Sequence, residues 1–236
     1  MNRAWVRGLR FTPDTAERHA IVAQQLLGTA TVLDVGGVEG QLAPFLPRVR
    51  VTTINVNEDG RLRFDGAALP FADDSHDAAV SLDVLEHIPP ESRAEHFAEL
   101  LRVARRRVVV CCPWGSTAHR AAEEKVSAWY EQITGAAHPF LSEHATLGLP
   151  DAATIAELER RAEVASWTVM TSYHGDFRSV DAQFRTAMLA RRGRRPTALA
   201  RYAIERLRFR PELSTSSEPS AWTNRVYVTA TALPAT

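Results

Sequence analysis

Residues 31–40 read Thr31-Val32-Leu33-Asp34-Val35-Gly36-Gly37-Val38-Glu39-Gly40. Val32, Leu33 and Val35 have the character of a buried strand, which carries a carboxylate at Asp34 before it enters a glycine-rich turn. Glycine there lets the chain bend sharply and lets a ligand come close to the backbone. In open α/β sheets the ligand crevice lies at the carboxyl ends of the strands, where this turn falls. A dinucleotide fingerprint needs glycines at i, i+2 and i+5. Counted from Gly36 those later positions are Val38 and Gln41, so that fingerprint is absent. For this segment alone, the remaining alternative is a purely structural strand-to-helix turn.

Outward from this segment, strand and helix patterns alternate. Asp14-Thr15-Ala16-Glu17 has the form of a capping box, with Asp14 as N-cap and Glu17 at N3, and predicts a helix ending near Gly28. Strands are predicted over 32–35, 51–56, 62–64, 78–82 and 108–112, with a short helix over 42–46. Pro89-Pro90 begins a helix whose Phe97, Leu100, Leu101 and Ala104 recur at helical spacing. Past Pro113 the pattern predicts a helix over 121–133, a His- and Pro-containing loop, and a helix from Pro150-Asp151 with Ile155 and Leu158 facing inward. Two further strands are predicted over 167–173 and 225–232. About fifty residues separate them, far more than a hairpin needs. That stretch is predicted to hold helices over 184–189 and 199–207. Alternation of this kind predicts a parallel sheet covered on both faces, and near-continuous apolar strands such as Val108-Val109-Val110 agree.

The 236 residues suit one α/β domain with elaborations, at 45% apolar and 24% charged residues. The formal net charge of zero gives no global field favouring nucleic acid. No apolar run is long enough to span a bilayer, and the first residues lack the apolar core of a signal peptide, so a soluble cytoplasmic protein is expected. The only cysteines, Cys111 and Cys112, are adjacent in a strand pattern. They read as small apolar core residues and exclude a disulfide framework. The basic residues are arginine apart from Lys125, and alanine is abundant, a bias that fits a high-GC bacterial genome.

Two more blocks stand at predicted strand ends: Phe64-Asp65-Gly66-Ala67-Ala68-Leu69-Pro70-Phe71-Ala72-Asp73-Asp74-Ser75-His76-Asp77 and Ser81-Leu82-Asp83-Val84-Leu85-Glu86-His87-Ile88. With 31–40 they resemble, in order and over 31–114, the class I S-adenosylmethionine-dependent methyltransferases of the bacterial small-molecule type. The resemblance implies a Rossmann-like α/β three-layer sandwich. Its seven-stranded sheet would be mostly parallel, with an antiparallel last strand and helical lid insertions. The domain would span 1–236, with a cofactor core at 31–114, a lid and acceptor segment at 115–150 and a helical insertion at 175–224. It further implies S-adenosylmethionine as cofactor and S-adenosylhomocysteine as product. Asp34 and Gly36 would line the methionine part, with Gly37 and Gly40 allowing close backbone approach. Asp65 would accept a hydrogen bond from the adenine amino group, flanked by the Gly66 and Ala67 backbone. Asp83 and Val84 would lie beside the methionine moiety. The chain departs from the family pattern twice. Val38 stands where a middle glycine is usual, and Asn55 where an acid usually pairs with the ribose hydroxyls. An amide there loses charge-assisted strength, about 1 kcal/mol. Glu58 or Asp59 could compensate.

Methyl transfer from a sulfonium is an in-line displacement that depends mainly on alignment. A hydroxyl or amine acceptor also loses a proton, which a histidine can take. Eight histidines are present. His87, near the cofactor, and His138 and His144, in one lid-like loop, are the candidate bases, with structural roles as the alternative. His119, His138, His144 and His174 lie in the variable segments expected to form the acceptor pocket. No His-x-x-x-His or carboxylate-rich spacing is present, so no metal is expected. Residues 185–210 carry nine arginines against Glu205, which reads either as a solvated helical face or as a rim attracting an anionic acceptor. The expected partner is a small molecule acceptor methylated on oxygen or nitrogen, with no nucleic acid and no membrane, and a homodimer left open. The alternative is a degenerate fold relative that acts as a non-catalytic binding partner.

Overall fold

The computed structural model describes residues 11–63, 68–191, 197, 200, 202–204 and 211–233. Its strands are β1 (Thr31–Val35), β2 (Arg50–Asn55), β3 (Leu62–Arg63), β4 (His76–Leu82), β5 (Ala104–Pro113), β6 (Trp167–Asp176) and β7 (Thr223–Ala232). They form one sheet in the order β3-β2-β1-β4-β5-β7-β6. All neighbours are parallel except β7, which runs antiparallel to both β5 and β6. This is the mostly parallel seven-stranded sheet that the sequence predicts.

Strand side chains alternate between the two faces, because the side-chain period of a strand is two. On one face Leu33, Val35, Ala79, Val108, Val110, Cys112, Val226 and Val228 pack against α2 (Arg93–Val103) and α5 (Ala152–Val164). On the other face Val32, Val80, Val109, Cys111 and Tyr227 pack against Ile21, Val22 and Leu26 at α1 (Pro13–Gln25). Cys111 and Cys112 thus lie buried on opposite faces, as apolar filling. Three more helices gather past the end of β5: α3 (Thr117–Thr134), α4 (Pro139–Leu147) and α6 (Phe177–Arg191).

Three local expectations are corrected. The N-cap of α1 is Thr12, whose side chain accepts from the Thr15 N–H at 3.3 Å, and not Asp14. Pro13 takes the first helical position, where its missing donor and fixed φ fit, and this moves the cap two residues upstream. Asp14 then lies inside the helix, free to meet a distant arginine. The predicted His- and Pro-containing loop holds α4, which Pro139 begins in the same way. In the insertion α6 runs from Phe177, well before 184; most of 199–207, and Phe64 of the third strand, lie outside the described residues.

Candidate cofactor and acceptor site

The parallel register sets the ends of β1, β2 and β4 level, with Val35 opposite Ile54 and Ser81. Gly36 follows at once with φ +79°, and its N–H donates to the Ile54 carbonyl at 2.7 Å. A Cβ at Gly36 would collide with the Val84 side chain, and one at Gly37 with the Asp34 carboxylate. Both glycines are therefore required by close approach, and they bring the ends of β1 and β4 together. Gly40 also has positive φ, +78°, but faces open space.

Asp34 is 2% exposed beneath this turn, and its Oδ1 has no hydrogen-bond partner among the described residues. Burial pushes its pKa from 3.8 up to about 7, against the opposing pull of Arg18 and the Thr53 hydroxyl. A buried carboxyl with a free oxygen calls for a cationic donor. Asn55, expected toward a ribose, instead donates its amide to the carbonyls of Gly36 (3.0 Å) and Gly37 (2.9 Å), and its Oδ1 accepts from the Val56 N–H. Its side chain holds the turn in place. Glu58 and Asp59, the carboxylates expected to compensate, are exposed. Asp65, Gly66 and Ala67 lie outside the described residues.

Asp83 has φ +55° and pairs with both Arg18 and Arg225. Arg225 reaches on to Asp14 at 2.7 Å, so two acids and two guanidiniums close a balanced network. Burial alone would raise the Asp14 pKa, but Arg225 and Arg18 outweigh it and hold Asp14 below its ordinary value. Asp83 is thus committed to arginines. Arg18 retains a buried Nε without a partner among the described residues. Sequence reasoning missed both arginines. The only trace was the i, i+4 spacing of Asp14 and Arg18; nothing marked Arg225, on the last strand.

The network borders a cavity of about 220 Å³ lined by Asp14, Glu17, Arg18, His174 and Arg225. A second cavity, about 240 Å³, shares Val180 and Asn224 with it and is lined by α3, α4 and α6. Its wall is largely apolar, with Val126, Phe140, Leu141, Phe177 and Phe184. His119, His138 and His144 line this cavity and His174 lines the first, so the four acceptor-pocket histidines divide between two adjoining spaces. His138 packs edge-on to Tyr130 at 4.8 Å, and its Nδ1 is buried without a partner among the described residues. Burial, then nearby His144, lowers its pKa, so it is held neutral. His119 stacks on Phe177 and bonds the Trp114 carbonyl at 3.0 Å through Nδ1.

His87 connects the two regions. The tight turn Leu85–His87 follows Val84, and the His87 Nδ1 meets Glu143 of α4 at 2.7 Å. The His87 and His144 rings lie 5.0 Å apart. His144 Nδ1 meets Glu123 of α3 at 3.1 Å. The candidate bases thus all gather at one end of the sheet, two against each other and His138 among aromatic rings. Of the basic run, Arg185 pairs with Asp181 at 2.7 Å and lies on the Trp129 ring, while most of the others fall outside the described residues.

Comparison with known proteins agrees with this geometry. Residues 33–112 match the family described as "Methyltransferase domain". An "Uncharacterized methyltransferase" of Mycobacterium sp. (strain KMS) is 37% identical over 92 residues, 33% of this chain and 36% of that protein. A protein of the same description from Mycobacterium marinum is 37% identical over 91 residues, 32% and 35% of the two chains. The match therefore spans about a third of the length of these curated relatives. Among solved structures, a candidate sarcosine dimethylglycine methyltransferase of Galdieria sulphuraria superposes with a TM-score of 0.53 at 15% identity, over 89% of this chain and 81% of the other. A candidate histamine N-methyltransferase of Thermotoga maritima gives 0.53 at 13% identity, over 96% and 92%. Those two establish likeness of fold. The strand order is that of the Rossmann-like methyltransferase fold, and within it the core over residues 33–112 is similar to the class I S-adenosylmethionine-dependent methyltransferases.

Proposed function

We propose that the protein transfers a methyl group from S-adenosylmethionine to an oxygen or nitrogen of a small molecule bound in the apolar cavity. The carrying observation is the buried Asp34 carboxyl, with its unpartnered oxygen, under a glycine turn pressed against Val84. These residues fit the amino acid end of the cofactor. Asp34 would hold its ammonium group, and the free Nε of Arg18 would face its carboxylate. When bound, the cofactor supplies a sulfonium-activated methyl: the acceptor lone pair forms the new bond as the carbon–sulfur bond breaks, its electron pair leaving on sulfur.

The protein's own part is to bind, orient and accept a proton. The aromatic and aliphatic wall of the 240 Å³ cavity suits a compact acceptor with an apolar face. Two buried histidine nitrogens without partners among the described residues, Nδ1 of His138 and Nε2 of His144, belong to residues that line it. Either can take the proton that a hydroxyl or amine loses on methylation, His144 only while its Nε2 lone pair is not held by another ligand. An anionic acceptor draws no support from Arg185, whose guanidinium is already paired.

Calorimetric titration with S-adenosylmethionine and S-adenosylhomocysteine tests the reading. Micromolar binding that weakens in Asp34→Asn is the expected result. No binding up to millimolar ligand would overturn it. The second reading, a non-catalytic binding protein, would then take its place, and one observation favours that: the Asn55 side chain is engaged by the turn and its amide protons are not aimed at a ribose.

A further inference from the structure

Glu86 is 1% exposed, yet its Oε2 has no hydrogen-bond partner among the described residues. The buried Nε2 of His144 also lacks one. Ligand atoms of Glu86, His87 and His144 all lie within 4.8 Å of one another. Two imidazoles and a carboxyl converging without hydrogen bonds between them make a costly arrangement for a packed interior. From this we propose that Glu86, His87 and His144 bind a divalent transition-metal ion, of the zinc, cobalt(II) or iron(II) class, at the wall of the acceptor cavity.

The surroundings of the two histidines carry the proposal further. Each places Nδ1 against a carboxylate from a different helix, His87 on Glu143 and His144 on Glu123. A carboxylate accepts only, so Nδ1 carries the hydrogen and donates it. The lone pair is then fixed on Nε2 in both rings. Carboxylate–histidine–metal relays use this arrangement, in which the outer carboxylate sets the tautomer and raises ligand basicity. Two nitrogens and one oxygen suit zinc or iron(II) with open coordination positions, whereas magnesium and calcium prefer oxygen alone. Tetrahedral bonds of roughly 2.1 Å place donors about 3.4 Å apart. The donors lie within 4.8 Å of one another, so a bound ion would draw them closer to that spacing. No local spacing rule in the sequence detects such a set, because its residues come from two elements joined through space.

His144 lines the acceptor cavity, so the ion's open positions would face it. The ligand class this implies is an acceptor hydroxyl, bound and made more acidic by the metal. That last step rests on the methyltransferase reading; the metal site does not.

The test is titration of the chelator-stripped chain with Zn²⁺ and with Co²⁺, without S-adenosylmethionine. Competition against a chromogenic chelator gives the affinity, and the Co²⁺ absorption spectrum reports nitrogen ligation. One ion per chain is expected. His87→Ala and His144→Ala should each weaken binding about 100-fold or more, and Glu143→Gln and Glu123→Gln about 10- to 100-fold. His76→Ala, remote on β4, should leave it unchanged. Glu86→Gln is close to isosteric and should weaken binding at least about tenfold; with the Co²⁺ spectrum it decides the matter if a histidine variant fails to fold. No stoichiometric binding, binding indifferent to these substitutions, or Mg²⁺ held as tightly as Zn²⁺ would each overturn the site. Zinc bound without affinity for S-adenosylmethionine would keep the site and remove the methyltransferase. The reverse result would keep the methyltransferase and remove the site.

Discussion

Replacing Asp34 by asparagine keeps the shape of the side chain and removes its charge. In the folded protein burial moves this carboxyl from 3.8 up to about 7. Below pH 4 both folded and unfolded chains hold the proton, and the group contributes no pH dependence. Between pH 4 and 7 the unfolded chain has lost the proton while the folded chain keeps it, so raising the pH favours unfolding. Above pH 7 both are ionised and the full cost is present. At about 1.4 kcal/mol per pH unit over about three pH units, wild type loses up to about 4 kcal/mol that the variant does not lose. The buried amide brings a pH-independent cost of about 1–3 kcal/mol if its new donors find no partner. The variant is therefore expected to be less stable than wild type at pH 4 and to overtake it by pH 8.

Urea denaturation of both proteins at several pH values between 4 and 8 reads this directly. The difference between the two curves isolates Asp34 from Glu86, which burial also pushes up to about 7 and which both proteins share. A difference that stays flat within about 1 kcal/mol across the range would refute the reasoning. The same variant should bind S-adenosylmethionine more weakly. The hydrogen bond to the cofactor's ammonium group loses its anionic acceptor, a loss of about 1–2 kcal/mol or roughly 5- to 30-fold.

Three further outcomes follow from the site. Asn55→Asp supplies the acid usual in the family, yet it should weaken cofactor binding and destabilise the fold by about 1–3 kcal/mol, because the Gly36 and Gly37 carbonyls lose their donor; tighter binding in calorimetry would count against the turn-holding role. Gly37→Ala pushes a Cβ onto the Asp34 carboxylate and should cost about 1–3 kcal/mol, read as a lowered urea midpoint, whereas an unchanged midpoint would mean that the turn is looser than described. Arg225→Met leaves Asp14 and Asp83 sharing one guanidinium, and should cost about 3–5 kcal/mol at neutral pH; a neutral effect would mean that Arg18 and solvent suffice.

The sheet was legible because its strands bury both faces and alternate with helices, so periodicity and punctuation carried the information. Asp34, the Gly36–Gly37 turn and Val84 were legible because their chemistry lies in contiguous blocks. The position of the first cap was misread because Asp14-x-x-Glu17 satisfies a local rule as well as Thr12-Pro13 does, and the choice depends on Asp14 meeting Arg225 across 211 residues of sequence. The role of Asn55 was hidden for a similar reason. Its identity suggested a weaker ribose partner, but its amide protons point back to the turn. His87 and His144 were legible as candidates, while Glu143 and Glu123, 56 and 21 residues from their partners, set the histidine tautomers through contacts no spacing pattern encodes.

The charges at this end of the sheet also explain why the two proposed ligands belong to one site. Asp14, Asp83, Arg18 and Arg225 neutralise one another, and the nearby buried Arg93 is committed to the Ile88, Leu147 and Gly148 carbonyls. Two buried carboxyls remain outside that network, Asp34 under the glycine turn and Glu86 beside the histidines, each with one oxygen lacking a partner among the described residues. Only Leu85 separates Val84, which the turn contacts, from Glu86 along the chain. An ammonium group at Asp34 and a metal ion at Glu86 would each meet one of these demands. Because unpaired buried carboxyls each oppose ionisation, filling one should leave the other's demand in place. The two ligands are therefore expected to bind independently of order, with the acceptor held between them.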